Sequence, residues 1–400
     1  MRIDRFVRFA AALAVATPLA ACKHDVYPDF KPPLVCRTRS EIRSSTFLIG
    51  DAGQPRLPAV QPGVPDALVD PVLSALRSDV AARVAEVGAE RVAVVFLGDN
   101  IYPAGLELPG EKGHAHGLRV LEAQIAAVGE ARGFFTLGNH DWAQGKAGRG
   151  WDVANAQVEY LSARAPNISV HPGGTCAGPE VVDFAGQVRF VFVDLWSALY
   201  EIQVADGRQD HCPIRAGEGR LIERVREVLD ESGDKAVIFV THAPMMTSGP
   251  HGGFFPWREH VFPLRVFHRD LWIPLPIIGS IFPLARLMGV TDTDMMSENY
   301  QIYIDGLKRI FRPGNPGLVA AGHEHSLQVH VDPTGVMHAV SGAGSVDKVD
   351  YVRTMNSDLM SLAAPGYMRV DGYADDRYRL TVLALDENMD RRFVYSTCVP

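Results

Sequence analysis

Residues 91–102 read RVAVVFLGDNIY. The apolar, β-branched run from Arg91 to Leu97 predicts a strand, and Gly98 then lets the backbone turn sharply so that Asp99 is presented at the carboxyl end. The arrangement recurs along the chain. Thr46–Gly50 leads into Gly50-Asp51-Ala52-Gly53, and Gly133–Leu137 into Gly138-Asn139-His140-Asp141. Lys235–Val240 leads into Val240-Thr241-His242, and Gly317–Ala321 into Gly322-His323-Glu324-His325. A further strand is predicted over Val188–Asp194.

Helical periodicity fills the gaps between strands, over Ala67–Val87, Leu118–Val128, Asp152–Ala163 and Glu218–Leu229. Strands alternating with helices imply parallel pairing and an α/β (α+β layered) fold. The later runs Met337–Val340, Tyr367–Val370 and Tyr378–Leu385 have no intervening helices and are expected to be antiparallel. In a largely parallel sheet the carboxyl ends of the strands open into one crevice, so residues far apart in the chain converge there. Convergence is what a metal site requires.

Taken together and in this order, the five patterns resemble the metallophosphoesterase (calcineurin-like) superfamily, and specifically its purple acid phosphatase branch, over roughly Thr46–Leu327. The wider superfamily has a histidine at the position of Gly53. Here Tyr102 is present to replace it. The resemblance implies two packed mixed β-sheets flanked by helices. It implies one metal held by Asp51, Asp99, Tyr102 and His325, and a second held by Asp99, Asn139, His242 and His323, with Asp99 bridging. His140 would face the substrate without binding metal, and Asp141 would orient an imidazole, that of His140 or His323. Glu324, between two ligand histidines, is expected to face solvent. His114 and His116, on a glycine-rich loop, are given no role.

The ligand chemistry agrees with this assignment. Two carboxylates and a phenolate suit Fe(III), while an amide and two imidazoles suit a divalent ion, Fe(II), Mn(II) or Zn(II). Such a pair brings more positive charge than the three anionic ligands cancel, which complements a phosphate ester. The expected activity is hydrolysis of phosphate monoesters, acid phosphatase-like, on a phosphorylated small-molecule substrate. A phosphodiesterase or pyrophosphatase with the same metals is the enzymatic alternative, since the motifs do not define the leaving group. The non-enzymatic alternative is an envelope binding or scaffold lipoprotein with a retained phosphatase fold, although a decaying site normally loses some of its ligands.

Composition bounds the rest. The 400 residues carry 47 acidic and 39 basic side chains, a net charge of -8, with 47% hydrophobic and 22% charged residues. This excludes a disordered chain and argues against a nucleic-acid partner. Length alone admits two or three domains, or one large core with insertions. Residues 1–21 read as an export signal, with Arg2, Arg5 and Arg8 before an apolar run too short to span a bilayer. Leu19-Ala20-Ala21-Cys22 resembles the bacterial lipoprotein box, so Cys22 is the expected lipidation site. The protein would then be exported, periplasm-facing and lipid-anchored to the cell envelope, and Lys23 favours the outer membrane.

With Cys22 lipidated, Cys36, Cys176, Cys212 and Cys398 remain. Three pairings are possible, and the expected ones are Cys36–Cys398, tying the ends, and Cys176–Cys212. Residues 22–44 are read as a linker and 45–398 as the catalytic domain, with an apolar insertion at about 250–296. Within the insertion, residues 271–290 hold one charge and three prolines, which argues against a spanning helix. The segment is either an interfacial membrane element or an apolar flap covering the domain or a second copy.

Overall fold

The structure is a computed structural model that describes residues 30–36, 40–58, 69–145, 148–204, 207–208, 210–213, 218–266, 271–275 and 278–400. The expected signal segment 1–21 and Cys22 lie outside the described residues. Two seven-stranded sheets form the described body.

The first sheet holds β1 (Ile42–Ile49), β2 (Val92–Leu97), β3 (Arg132–Thr136) and β4 (Ile168–Val170). The second is built on β5 (Glu180–Phe184), β6 (Val188–Phe192), β7 (Ala236–Val240), β8 (Leu318–Ala321), β9 (Leu327–Val331), β10 (Met337–Ser341) and β11 (Asp358–Leu362). The chain then returns to the first sheet with β12 (Gly366–Tyr373), β13 (Tyr378–Leu385) and β14 (Arg391–Val399). The orders are β14-β13-β12-β1-β2-β3-β4 and β11-β9-β10-β8-β7-β6-β5.

β1 to β4 are mutually parallel, and β12 joins β1 antiparallel. In the second sheet β6, β7, β8 and β10 run parallel. The expected antiparallel pairing of Met337–Val340 is therefore half right: β10 is antiparallel to β9 but parallel to β8. The two packed mixed sheets are those the resemblance implies, and the crevice expected at the carboxyl ends of the parallel strands is lined by loops from both of them.

Residue alternation explains the layering. Leu48, Val95 and Leu97 point into a core shared with Phe190, Ile238, Val240, Leu318 and Ala320 of the other sheet. Phe47, Ile49, Val94 and Phe96 point the opposite way, against Leu73, Leu76, Val120 and Leu121 of the covering helices. Both faces of these strands are buried, which is why they read as continuous apolar runs. On the outer side of the second sheet, Phe239 and Val319 join a core with Leu221, Val225, Tyr303 and Leu307.

The helix Pro71–Val87 shows how local sequence sets its limits. Asp70 accepts the Leu73 amide at 3.0 Å, Pro71 occupies the first turn, and Gly88 ends the helix at φ 92°. The helices Leu195–Val204 and Glu298–Ile310 had no counterpart in the sequence reading.

The four cysteines pair as expected: Cys36 with Cys398 and Cys176 with Cys212, at Cα separations of 5.0 and 5.5 Å. β1 begins at Ile42, and Leu34 is hydrogen-bonded through its amide to Thr397 and through its carbonyl to the Cys398 amide. The 250–296 region holds the short helices Trp257–Val261 and Ile281–Leu287. Among the described residues no helix is long and apolar enough to cross a membrane.

Candidate metal centre

All five sequence patterns leave the carboxyl ends of strands at one edge of the two sheets. Asp51 follows β1, Asp99 follows β2 and Asn139 follows β3, while His242 follows β7 and His323 and His325 follow β8. Asp51, Asp99 and His323 adopt left-handed backbone conformations, at φ 59°, 54° and 69°. Such conformations are costly for residues with side chains and cluster at functional sites.

Glycine is needed where these loops touch. A Cβ on Gly53 would lie 2.6 Å from the Asp99 carbonyl oxygen, and one on Gly138 would lie 2.2 Å from Asp99 Oδ1. The Gly53 position therefore has no room for a histidine. Tyr102 reaches the centre from the next loop instead.

Around Tyr102, four groups meet. Its hydroxyl donates to Asp51 Oδ1 at 2.9 Å, and lies 3.1 Å from Asp99 Oδ2 and 3.1 Å from His325 Nε2. One proton faces three acceptor groups. Burial, and then the charges of Asp51 and Asp99, push the phenol well above its ordinary range.

The second group centres on Asn139. Its Oδ1 lies 3.1 Å from His242 Nε2 and 3.0 Å from His323 Nδ1, and the two imidazole nitrogens are 3.2 Å apart. Asp99 Oδ1 is 3.4 Å from His242 Nε2, so Asp99 stands between the two groups. Asp99, His242 and His323 offer ligand atoms within 4.8 Å of one another.

The outer nitrogens of the three histidines decide which way the lone pairs point. His242 Nδ1 donates to the Leu97 carbonyl at 2.7 Å, and His323 Nε2 to the Thr293 carbonyl at 2.7 Å. His325 Nδ1 donates to Asp350 Oδ2 at 2.7 Å. In the neutral ring, which a bound cation would favour, the inner nitrogens are bare acceptors; without a cation, burial lowers His325 but its hydrogen bonds with Asp350 and Asp51 push it up to about 10. Electron pairs from nitrogen and oxygen then face one another with too few protons between them, and a cation is the group that fits. Hard oxygen donors on one side and imidazoles on the other match two first-row metal ions.

Burial opposes ionisation of Asp99, but His242 and His140 hold it below the usual carboxylate range. Burial and the neighbouring His251 and His242 press His323 well down, favouring the neutral ring.

No family model matches the sequence, and no curated protein matches it. Among solved structures the chain is similar to the purple acid phosphatase PPD1 from yellow lupin (Lupinus luteus) seeds. The TM-score is 0.51 at 12% identity, over 90% of this chain and 54% of that one. The chain shares the fold of that protein. It spans about half the length of the lupin protein. GAP50, the anchor in the inner membrane complex of Plasmodium, matches with TM-score 0.48 at 14% identity, over 90% of this chain and 89% of that one. A dimetal phosphatase from Danio rerio matches with TM-score 0.44 at 14% identity, over 90% of this chain and 99% of that one.

In this fold, His140 stands beside the Tyr102 group, its ring 4.5 Å from the Tyr102 ring. Its Nδ1 donates to the Pro103 carbonyl at 2.6 Å, leaving Nε2 on the open side, 3.9 Å from Asp99 Oδ2. Asp141 does not orient an imidazole. It accepts the amides of Asn100, Ile101 and Gly138 at 2.9–3.1 Å and so clamps the Asp99 loop to the Asn139 loop. Burial, then the Asp99 charge, push this carboxyl up to about 7.

Glu324 is also corrected. It is buried, not solvent-facing, because its side chain turns inward from the ligand histidines. There it accepts the Thr247 hydroxyl at 2.9 Å and the His251 amide at 3.1 Å. His114 opens the helix His114–Val128 and is not on a loop.

Several residues at the centre went unnoticed in the sequence. Asp350 holds His325. The Lys348 ammonium lies 3.5 Å from the centre of the Tyr102 ring, and the His251 ring lies 4.1 Å from that of His323. They come from loops with no motif, brought in by tertiary packing. A second cluster, Cys176, His211 and Cys212, also has ligand-like spacing. Its cysteines are joined as a disulfide, so it is not a thiolate metal site.

Proposed function

We propose that the chain is a dinuclear metal-dependent phosphoesterase that hydrolyses phosphate monoesters. The observation that carries this reading is the convergence of seven side chains whose inward atoms are all electron-pair donors, with each imidazole locked by an acceptor behind it. One ion would be held by Asp51, Asp99, Tyr102 and His325, as Fe(III). The other would be held by Asp99, Asn139, His242 and His323, as Fe(II), Mn(II) or Zn(II). Bound there, the two ions would neutralise phosphate charge and supply an activated water.

The chain's own residues do the rest. Asn139 supplies a ligand without a further negative charge, so the centre keeps its attraction for phosphate. Asp141 fixes the loops of Asp99 and Asn139 relative to each other, which preserves the ligand geometry. His140 presents Nε2 towards the substrate side, where it would hold a phosphoryl oxygen or deliver a proton to the departing oxygen. Lys348 adds a cation beside the same opening.

The direct test is phosphate release from an aryl monoester by protein supplied with iron and a divalent metal. Cleavage of bis-esters alone would overturn the monoesterase reading. Asp99→Asn should lose both metal retention and turnover, which separates this centre from a contaminant.

The proposed location is the cell envelope, with Cys22 as lipid anchor. Two disulfides support an oxidising compartment. The 271–290 segment is proposed as a further membrane contact, on the strength of its exposed Trp272, Ile281, Leu284 and Met288. Metabolic labelling with a fatty acid, lost in Cys22→Ser, tests the anchor.

A further inference from the structure

A cavity of about 440 Å³ is lined by residues between Gly253 and His260, by Leu287, and by Tyr351 and Arg353 in the loop after Lys348. Its wall starts next to the ligands. The His251 ring stacks on His323, and Gly253, two residues on, already lines the cavity. On the other side, Tyr351 lines the cavity and directly follows Asp350, the partner of His325. Gly253 and Tyr351 thus each lie within two residues of a side chain that touches a ligand histidine, which places two walls of the cavity next to the centre in the chain.

The lining is unusual for a chain with net charge -8. Phe254, Trp257 and Tyr351 supply aromatic surface, and Arg258 and Arg353 supply positive charge. Neither guanidinium has a carboxylate partner among the described residues. Trp257 is 72% exposed, with its ring open to a ligand. The wall is held in place from behind: Arg286 packs 5.1 Å from the Phe255 ring centre and pairs with Asp294, which also binds His251. Aromatic faces stack on flat rings, and unpaired guanidinium groups bind anions in a forked geometry.

We propose that this cavity receives the leaving group of the substrate and selects a planar aromatic one that carries a second negative charge, as in a nucleotide with an additional phosphate. The inference rests on the phosphoesterase reading above. In the hydrolysis, the water oxygen forms the new bond to phosphorus and the bond from phosphorus to the leaving oxygen breaks. That oxygen takes up a proton, and the aromatic product departs through the cavity.

The experiment compares kcat/KM for adenosine 3′,5′-bisphosphate, adenosine 5′-monophosphate and glycerol 3-phosphate, using the full chain loaded with iron and zinc. The expected order is bisphosphate, then monophosphate, then glycerol phosphate. In Trp257→Ala the ratio of either adenosine substrate to glycerol phosphate should fall roughly tenfold. In Arg353→Ala the ratio of bisphosphate to monophosphate should fall, by roughly tenfold. Equal rates on all three substrates, or ratios unchanged in both variants, overturn the inference and leave the phosphoesterase reading standing. Hydrolysis of none of them, or of any other phosphate ester, overturns both.

Discussion

The Asp350 carboxylate accepts a hydrogen bond from His325 Nδ1 at 2.7 Å, and this contact determines which nitrogen of the ring faces Tyr102 and Asp51. Partners of this kind orient an imidazole and raise its strength as a ligand. Asp350→Ala should therefore weaken metal retention by about 10- to 100-fold while the fold persists. Asp350→Asn, which keeps an acceptor oxygen, should lose less. Equilibrium dialysis of the metal-loaded variants measures both, and equal affinity in wild type and Asp350→Ala would show that the contact does not orient the ring.

Gly53 tests the geometry from the opposite side. Any side chain there collides with the backbone from Asp99 to Ile101, so Gly53→Ala should displace Asp99 and reduce metal content and turnover together. Substitution to histidine, with its far larger side chain, should be worse still. Metal analysis of the purified variants reads the outcome; a Gly53→His protein with full metal content would refute the steric account.

If iron occupies the position facing Tyr102, the phenolate should give a visible charge-transfer band. Tyr102→Phe should abolish that band. An absorption spectrum of the iron-loaded protein decides it, and colourless, fully active protein would replace iron by manganese or zinc in the assignment.

A pH effect on stability is expected away from the centre, at Asp358. Burial opposes its ionisation, but the hydrogen bond from His330 and those from Ser361 and the Met355 amide hold the carboxyl at about 2. A depressed carboxyl pKa stabilises the fold above the unfolded value near 4, and the contribution fades as pH falls from about 4 towards 2. With solvent screening discounted, the effect is about 1 kcal/mol. Urea midpoints of wild type should drop between pH 5 and pH 3 by more than those of Asp358→Asn. Parallel pH dependence in the two proteins would contradict the assignment.

Much of this was readable from the chain alone, for local reasons. A run such as Val92–Leu97 announces its strand through composition, and a glycine next to an acid, amide or histidine marks where the strand ends. Both cysteine pairs were also anticipated. What was not readable depends on distant contacts. Asp350 and Lys348 lie in a loop of ordinary charged residues, and nothing local distinguishes them from surface positions. Glu324 was misplaced because alternation correctly turns it away from the two histidines, but the space behind them is filled by the Thr247–His251 loop. The division into two sheets is carried by the resemblance and not by the strand pattern, because parallel strands with helical crossovers look the same in sequence whether they join one layer or two.

That division has a further consequence. Asp51, Asp99 and Asn139 hang from one sheet, whereas His242, His323 and His325 hang from the other, so whatever occupies the space among them is gripped by both layers at once. Ions seated there would act as rivets across a seam otherwise closed by apolar packing, and each would add stability in proportion to the logarithm of its free concentration over its dissociation constant. Chelation would then do more than silence an enzyme: it would loosen the two halves from one another, beginning at the edge where substrate enters.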